Sequence, residues 1–383
     1  MGIAELTRNA VDVLPEGGLE AKLKLGRPLR VKFGIDVTSP DIHVGRGVPL
    51  QRMRAFQDEG HKGVLIVGDY TTRIGDPSGR STERPILADE EIDANARLYL
   101  EQAKVILRDD PELLEVRYNG EWLSKLSYAD VVRLGRIVTL ARMLERDDFE
   151  KRYRAGEPIS ISELLYPLMQ AYDSVAVEAD VELGGTDQLY NLLAGREVME
   201  AYGLEPQVVL TTPLLLSWDG EKMSSSVGNN IPLTAPPEEM FGRTMRIPDS
   251  QLAEWWALLA EQPVPDGGPM EAKLSLARLI VTRSHGEEAA RAAEEHFRRV
   301  VQSGETPEDV PERSLPSGDP VHLPALIAET FGLSTSEARR LIAQGGVKLD
   351  GDTVSELDLP RSRLVDAVLQ AGKRRFVRLN GAA

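Results

Sequence analysis

The fold is indicated first by residues 29–46, which read LRVKFGIDVTSPDIHVGR. Residues 29–36 form an apolar run that predicts a buried strand, and residues 48–59 carry apolar side chains at helical spacing. A second apolar run at residues 63–68 completes a strand–helix–strand unit. Short, nearly continuous apolar runs are typical of parallel strands that are buried on both faces. We therefore predict an α/β fold with a Rossmann-like parallel sheet that binds a nucleotide.

The composition argues against several other classes of protein. The 383 residues are 42% hydrophobic and 28% charged, which is ordinary for a globular protein, and they include no cysteine. HExxH, GxGxxG and GxxxxGK[ST] strings are all missing from the sequence, so we expect neither a metal site, a standard dinucleotide fold nor a P-loop. No segment has the character of a signal peptide or a membrane span. We predict a cytoplasmic protein without a membrane partner.

The remaining pattern divides the chain into four parts. Helical patterns at residues 90–107 and 128–146 are interpreted as an insertion into the nucleotide-binding domain, and strand character returns at residues 207–216. A helical region follows, then a segment rich in Pro, Gly and acidic residues, then short helical and strand-like pieces. We predict a catalytic domain at 1–232, an α-helical domain at 233–302, a linker at 303–320 and a small α+β domain at 321–383.

Two short motifs follow predicted strands, where open α/β sheets bind their ligands. His43 and Gly45 lie at the start of the helix after the first strand, where free backbone N–H groups favour an anion. Lys222 and Met223 begin the string KMSSS, which follows the strand at residues 207–216. A lysine on a mobile loop can stabilise charge that develops on a leaving phosphate. Either motif alone is common on protein surfaces, but together they predict a nucleotide site.

Two turns carry further candidate ligands. Asp76 lies in the turn-rich loop at residues 68–80 and could accept a hydrogen bond from an ammonium group. The string LGGTDQ predicts a strand-to-helix turn that is capped by Thr186 or Asp187. Its glycines allow a ligand to approach closely, and Asp187 could accept hydrogen bonds from ribose hydroxyls. For both stretches an ordinary turn is the alternative interpretation.

A polar stripe is predicted on one helix. Tyr166, Gln170 and Asp173 are spaced so that they share one helix face. Pro167 disfavours helical geometry at the residue before it, so we expect the helix to begin there. Such a stripe suits a pocket wall that recognises a small polar ligand. A partly buried helix whose polar groups are satisfied is an equally good interpretation of the spacing.

These motifs, in this order, resemble those of the bacterial-type tyrosyl-tRNA synthetases, which are class I aminoacyl-tRNA synthetases. The resemblance runs from residue 29 to about residue 246. Residues 322–379 separately resemble the S4-type RNA-binding domain that these enzymes carry at their C-terminus. Tryptophanyl enzymes have a similar nucleotide fold but lack that tail and the strings YPLMQAYD and GGTDQ found here.

The resemblance implies an enzyme that activates tyrosine with ATP and Mg²⁺, charges tRNA and forms a homodimer. It implies catalytic contacts with the ATP phosphates at His43, Lys222 and Thr38. Arg46 is a further catalytic candidate, because its guanidinium lies one turn into the helix and can bind phosphate oxygens. The resemblance implies contacts with tyrosine or the adenylate at Asp36, Asp76, Tyr166, Gln170, Asp173 and Gln188. It implies ATP contacts at His43, Gly45, Gly185, Asp187, Lys222 and Met223.

The charge distribution limits where a nucleic acid can bind. The net charge of −16 opposes binding over the whole surface. Residues 321–383, however, hold nine Lys and Arg against seven Asp and Glu, which suits a partner that touches a selected face. The candidate contacts with tRNA phosphates are Arg339, Arg340, Lys373, Arg374 and Arg375.

Several positions depart from the motifs of the family. Arg46 stands at the second histidine of the HIGH-type motif, Val37 at a usual proline, and Ser225 at the second lysine of the KMSKS-type loop. Lys32 occupies the place where some tyrosyl enzymes have a tyrosine beside the acid that binds the substrate hydroxyl. Together with Arg73, these departures from the family motifs leave two alternative functions open. One is a paralogue that supplies an activated amino acid or aminoacyl-tRNA to a biosynthetic pathway, and the other is a non-catalytic RNA-binding paralogue.

Overall fold

The computed structural model describes residues 2–77, 87–225, 227–299, 310–372 and 375–381. The chain forms two compact units, Met1–Pro236 with Arg243–Ser284 and Pro237–Gly242 with His285–Ala383. The predicted domain boundaries at residues 232, 302 and 320 stay a prediction. Within the described part of the chain, every helix is too short or too polar to cross a lipid bilayer.

The first unit is built around a six-stranded sheet. Its strands are β1 (Asp12–Leu14), β2 (Arg30–Ile35), β3 (Lys62–Val67), β4 (Leu114–Tyr118), β5 (Val181–Gly185) and β6 (Val208–Thr212). Their order is β1-β6-β5-β2-β3-β4, in which β1 is antiparallel to β6 and all other neighbours are parallel. The predicted α/β fold with a Rossmann-like sheet is confirmed.

Helices connect these strands and extend beyond the sheet. Up to residue 285 they are α1 (Ile3–Leu6), α2 (Gly18–Leu23), α3 (Val44–Asp58), α4 (Asp89–Ile106), α5 (Gly120–Leu123), α6 (Tyr128–Leu134), α7 (Leu140–Met143), α8 (Asp147–Ala155), α9 (Ile161–Val177), α10 (Leu189–Ala201), α11 (Pro237–Thr244), α12 (Leu252–Trp255) and α13 (Pro269–His285). A π-helical turn, Trp256–Ala260, continues α12.

Both faces of the sheet are covered. Val31 and Phe33 of β2 join the main hydrophobic core, to which α3 contributes Phe56. Val64 of β3 faces the other way and packs with Val177 at the end of α9. Because side chains alternate along a strand, the residue between Val31 and Phe33 points towards the α9 side of the sheet.

The structure corrects three predictions of secondary structure. Residues 128–146 form α6 and α7 instead of one helix, because Gly135 ends the first and Thr139 caps the second. Helix α9 begins at Ile161 and contains Pro167, so the expected start at the proline was wrong. The strand predicted to reach residue 216 ends at Thr212, since the proline that follows cannot donate to the ladder.

The second unit has its own sheet and core. Its elements are α14 (Glu287–Phe297), β7 (Glu312–Ser314), β8 (Val321–His322), α15 (Leu323–Phe331), α16 (Thr335–Ala343), β9 (Val347–Leu349), β10 (Asp352–Thr353), β11 (Asp358–Leu359), β12 (Val368–Ala371) and β13 (Arg375–Asn380). The sheet order is β10-β9-β12-β13-β7, and β11 pairs with β8. Strand β7 lies within the residues that the sequence suggests as a linker, and it pairs with β13. Ile327 and Ile342 of the two helices pack on Leu369 of the sheet.

Candidate active site

The site lies where the direction of the strand connections reverses. The chain runs from β2 to β3 on one side and from β5 to β6 on the other, so the reversal falls between β2 and β5. Ligands of open α/β sheets bind at this point, outside the carboxyl ends of the strands. The loops after these strands, the start of α3 and one face of α9 carry the predicted substrate-facing residues of the first unit.

Asp36 follows β2 and binds side chains from two other elements. Its carboxylate accepts hydrogen bonds from the Thr71 hydroxyl at 2.8 Å and from the Tyr166 hydroxyl at 3.0 Å. Burial, together with the charges of Asp36 and Asp76, raises the pKa of Tyr166 well above its usual value, so this hydroxyl remains protonated. Gly68 is required beside them, because a Cβ there would lie 2.5 Å from Asp36 Oδ1 and even closer to Thr71 Oγ1.

Asp173 lies on α9 beyond Tyr166 and is only 3% exposed. Its carboxylate accepts hydrogen bonds from the Trp122 indole N–H at 2.8 Å and from the Asn119 amide at 3.3 Å. Burial raises the pKa of Asp173 to about 7, against the opposing effect of the Lys32 ammonium and of these two hydrogen bonds. A buried carboxyl that ionises near neutral pH is a strong candidate acceptor for a ligand hydroxyl.

The sequence did not predict Asn119 or Trp122 as site residues. They follow β4, whose alternating sequence LEVRY is the signal of a half-exposed strand that could have been found. Asn119 also donates to Thr71 Oγ1 at 3.0 Å and accepts from the backbone N–H of Tyr70 at 3.0 Å. This asparagine therefore connects the loop after β3 with the polar face of α9.

Gln170 contacts a second buried polar group, on β5. Its amide donates to Glu182 Oε1 at 3.2 Å. Glu182 in turn forms an ion pair with Lys32 of β2, at 2.8 Å between Nζ and Oε1. The structure therefore brings the predicted stripe Tyr166, Gln170 and Asp173 onto one face of α9, which lies against the sheet at the ends of β2 and β5.

His43 caps α3 at the position predicted for phosphate binding. Its Nδ1 accepts from the backbone N–H of Arg46 at 3.3 Å, and Thr38 lies half-buried in the loop before it. Burial, with the positive charges of Arg46 and Lys222, lowers the pKa of His43 to about 3. The imidazole is therefore neutral at pH 7 and carries its proton on Nε2, which is a donor. Gly45 leaves room for this cap, since a Cβ there would lie 3.1 Å from His43 Nδ1.

Lys222 and Asp187 form an ion pair between the loop after β6 and the turn after β5. The lysine side chain is 53% exposed and the aspartate 17%. Gly185 permits this arrangement, because a Cβ there would lie 2.7 Å from Asp187 Oδ1. The predicted helix cap by Thr186 or Asp187 was wrong. Residues Thr186–Gln188 form a 3-10 turn without a side-chain cap, and the Asp187 carboxylate binds Lys222 instead.

The described part of the KMSSS string is held by two buried asparagines. The Asn229 amide oxygen accepts from the backbone N–H of Ser224 at 2.8 Å, and Asn230 donates to Ser225 Oγ at 3.0 Å. Met223 is buried beside them, and the last serine of the string lies outside the described residues. The serine that replaces the family's second lysine is therefore part of the structure of the loop.

Asp76 begins a chain of hydrogen bonds that leads away from the strand ends. It accepts from Gln188 Nε2 at 2.8 Å, and Gln188 accepts from Asn191 at 3.0 Å. Asn191 in turn accepts from Arg146 at 2.9 Å. The predicted residues Asp76 and Gln188 are therefore in direct contact. The rest of the loop, at residues 78–86, lies outside the described part of the chain.

The candidate tRNA contacts lie in the second unit. Arg339 and Arg340 are exposed on α16, and Arg375 is exposed at the start of β13. The charges of Arg340 and Arg375 both act on Glu337, so they lie near the same end of α16. The other two candidates lie outside the described residues: Lys373 and Arg374.

A known family matches this arrangement. The model for tRNA synthetases class I (W and Y) matches residues 24–302, which include β2 to β6 and the loops described above. The chain belongs to the class I tRNA synthetases. Within the described residues of this synthetase, no group of three or more carboxylate, imidazole or thiol side chains could hold a metal ion.

Relatives of the synthetase match nearly its whole length. It is 47% identical to the tyrosine–tRNA ligase of Thermotoga maritima, over 98% of this chain and 96% of that protein. It is 48% identical to the tyrosine–tRNA ligase of Deinococcus radiodurans, over 98% of this chain and 95% of that protein. The crystal structure of tyrosyl-tRNA synthetase complexed with L-tyrosine from Archaeoglobus fulgidus has a TM-score of 0.60 at 24% identity, covering 76% of this chain and 98% of that one. This structural likeness shows the fold alone.

The altered signature positions of the synthetase are built into its fold. Arg46 binds the cap residue of α3 through its backbone, and Val37 is fully buried in the core. Arg73 donates to Asp89 at 2.9 Å and to the carbonyl of Asp69 at 2.7 Å. The hydrogen bonds of Arg73 are therefore made outside the cluster of Asp36, Tyr166 and Asp173.

Proposed function

We propose that this synthetase is a tyrosine–tRNA ligase, which activates tyrosine with ATP and transfers the tyrosyl group to the 3′-terminal ribose of tRNA(Tyr). The observation that carries the proposal is the buried Asp173, which lies on the same face of α9 as Tyr166 and Gln170. Its carboxylate accepts hydrogen bonds from Trp122 and Asn119. A buried acceptor fits the phenolic hydroxyl of tyrosine. It disfavours phenylalanine, which would leave the acceptor without a donor.

The other end of the amino acid meets two carboxylates. Asp36 and Asp76 both act on the Tyr166 hydroxyl, so together they make this part of the pocket negative. We assign the substrate ammonium to Asp36, Asp76, Tyr166 and Gln170. Gln188, which donates to Asp76, is assigned to the region of the substrate carboxylate. Asp173 is assigned to the phenolic hydroxyl.

The nucleotide is assigned to the space between the start of α3 and the loop after β6. His43 donates through Nε2 to the phosphates, with Thr38 and the backbone at Gly45 beside it. Lys222 binds the leaving pyrophosphate and Arg46 supplies a second cation. The remaining ATP contacts are assigned to Gly185 and Asp187, which face the ribose, and to Met223. On this assignment, ATP binding breaks the ion pair between Lys222 and Asp187. Lys222 then binds phosphate, and Asp187 binds the ribose.

The chemistry needs positioning more than proton transfer. A carboxylate oxygen of tyrosine attacks the α-phosphorus, and the bond from that phosphorus to the bridging oxygen breaks to release pyrophosphate. The neutral His43, whose pKa is about 3, is a poor base and acts as a hydrogen-bond donor. Lys222 stabilises the charge on the leaving group, and Mg²⁺ enters on the ATP phosphates as part of the substrate. The terminal ribose hydroxyl of tRNA then attacks the carbonyl carbon and AMP leaves.

We assign residues 321–383 to an S4-like RNA-binding domain that contacts tRNA. The support is the set of exposed arginines on α16 and β13, in a small unit of helices packed on a sheet. Residues 233–302, which the sequence predicts to be an α-helical domain, are assigned to the anticodon-facing side. The substrates ATP and tRNA make the cytoplasm the proposed location.

A homodimer is supported by exposed apolar side chains between residues 128 and 161. Large hydrophobic side chains there are exposed to solvent: Tyr128, Val132, Leu140, Tyr153 and Ile161. Exposed apolar side chains are typical of an interface where they form one contiguous patch. We expect sedimentation equilibrium to give twice the mass of one chain. The double variant Tyr128→Ser and Ile161→Ser should weaken the dimer. A monomer at micromolar concentration would contradict the assembly without touching the enzymatic proposal.

The alternatives are a synthetase for a biosynthetic pathway and a non-catalytic RNA-binding paralogue. Amino-acid-dependent ATP–pyrophosphate exchange, measured with each of the twenty amino acids, separates them. We expect exchange with tyrosine and strong rejection of phenylalanine. Exchange that depends on another amino acid would favour the first alternative, and no exchange with any of them would favour the second.

A further inference from the structure

An ion pair lies completely inside the first unit, beside the proposed tyrosine pocket. The side chains of Lys32 and Glu182 are 0% and 1% exposed. Besides Glu182, the Lys32 ammonium binds the carbonyl of Gln170 at 2.8 Å and Ser174 Oγ at 2.7 Å. The Glu182 carboxylate also accepts from Ser174 at 3.3 Å, from the Gln170 amide and from Gln207.

The fold around this pair is adapted to hold it. Lys32 and Glu182 are opposite each other in the register of β2 and β5, and they are the last paired residues before the two strands separate. On the neighbouring α10, a Cβ at Gly195 would lie 3.2 Å from Glu182 Oε2 and would overlap the Gln207 amide. Buried charges are costly unless they are paired and hydrogen-bonded. Here β2, β5 and α9, together with Gln207 directly before β6, supply those partners, so the pair has a defined geometry.

The pair is connected to Asp173 through α9. Gln170 and Ser174, which both bind Lys32, lie on the same face of the helix, and Asp173 directly precedes Ser174. The neutral groups that bind Asp173 are Asn119 and Trp122, which follow β4. The charged groups that act on it are Lys32 of β2 and Glu182 of β5. The further titratable neighbour is Tyr166, with Asp36 and Asp76 around it.

We propose that the Lys32–Glu182 pair is a positioning device for substrate selection. It holds the turn of α9 that carries Gln170 and Asp173, so that the Asp173 carboxylate is presented to the hydroxyl of the amino acid, and its two charges act on that carboxylate in opposite directions. Neither residue touches the substrate, and both act through α9. The inference rests on the proposed role of Asp173 in binding that hydroxyl.

The two charges have opposite effects, which makes the proposal testable. Lys32 lowers the pKa of Asp173, and Glu182 raises it. Neutralising Lys32 therefore raises this pKa, and neutralising Glu182 lowers it. A protonated Asp173 accepts a weaker hydrogen bond from the tyrosine hydroxyl than an ionised Asp173 does. It therefore also loses less free energy when phenylalanine, which has no hydroxyl, binds instead. The ratio of kcat/KM for tyrosine over phenylalanine thus follows the ionisation of Asp173.

The experiment measures this ratio by pyrophosphate exchange between about pH 5.5 and about pH 8.5, where kcat/KM reports groups of the free enzyme. We expect Lys32→Met to lower the ratio about tenfold at neutral pH and to move its midpoint upwards by about one pH unit. Glu182→Gln should move the midpoint downwards. The double variant should return the midpoint towards that of the unchanged enzyme with a reduced ratio, because methionine cannot donate to the Gln170 carbonyl.

Lys22→Met is the matched control. Lys22 is also buried and forms an ion pair with Asp180, at 3.5 Å, but the charges that act most on Asp173 are those of Lys32 and Glu182. This variant should lose thermal stability and leave the midpoint unchanged. If Lys32→Met and Glu182→Gln, like this control, lose thermal stability and leave the midpoint unchanged, the pair is merely structural and the proposal is wrong. If Lys32→Met fails to fold, Glu182→Gln alone tests the proposal: a downward shift of its midpoint supports the proposal, and an unchanged midpoint overturns it. An unchanged enzyme without preference for tyrosine would instead refute the role of Asp173.

Discussion

Asp173 should destabilise the folded chain at neutral pH, and replacing it should reveal this. Burial raises the pKa of Asp173 from 3.8 to about 7. The folded state therefore binds this proton more tightly than the unfolded state. The stability that comes from the protonated group is fully present below about pH 4 and is lost as the pH rises through about 7.

The size of the effect follows from the shift in pKa. About three units correspond to about 4 kcal/mol between acid and alkaline pH, of which about 2–3 kcal/mol falls between about pH 5 and about pH 8. In Asp173→Asn the new oxygen can still accept from Trp122, but the new amide meets the Asn119 amide as a second donor. This mismatch costs about 1 kcal/mol at either pH. We therefore expect Asp173→Asn to be close to the unchanged protein in stability near pH 5 and clearly more stable near pH 8.

Urea unfolding of both proteins, followed by circular dichroism at the two pH values, measures this difference. Comparing the two proteins cancels the titration of all other groups. Asp219→Asn is the control, because Asp219 is exposed and the Asn229 hydrogen bond lowers its pKa, so its loss should give no gain at high pH. The same Asp173→Asn protein should lose most of its preference for tyrosine over phenylalanine. A stability difference that is equal at both pH values would refute the reasoning.

Four further predictions concern other parts of the chain. Lys222→Ala should lower the single-turnover rate of adenylate formation about 100-fold, the scale of losing one transition-state donor, and an unchanged rate would exclude this role. Arg46→Ala should lower that rate as well, with partial recovery on adding Ser225→Lys, since either cation can bind phosphate oxygens; normal adenylate formation would show that Arg46 takes no part. Gly68→Ala should raise KM for tyrosine about tenfold by displacing the carboxylate beside it, whereas Gly242→Ala, whose Cβ meets nothing within 4 Å, should not. Ending the chain at residue 309 should keep pyrophosphate exchange and abolish the salt-sensitive charging of tRNA, and normal charging by the shortened chain would contradict an RNA-binding tail.

The strand ends and their motifs could be predicted because they depend on local pattern. The apolar run at residues 29–36 became β2, and the motif after it caps α3 with His43. The β1 strand could not be found, because its three residues are all half-buried and show no periodicity. Asn119 and Trp122 were missed for another reason. Their contact with Asp173 depends on β4 lying next to β3, and residue spacing does not set the order of strands.

Lys32 illustrates the same limit and indicates why the site is built as it is. A lysine within an apolar run has no partner in the local sequence, and its pairing with Glu182 exists only because β2 and β5 are neighbours. A slip of one residue between these strands would turn one of the two charges towards the hydrophobic core and leave the other without its partner, so the pair also specifies the register. The strands separate directly after it, and that separation opens the crevice to which the substrates are assigned. The residues that join the two halves of the sheet are therefore also the ones that hold Gln170 and act on Asp173, so one buried contact links the geometry of the fold to the proposed choice of amino acid.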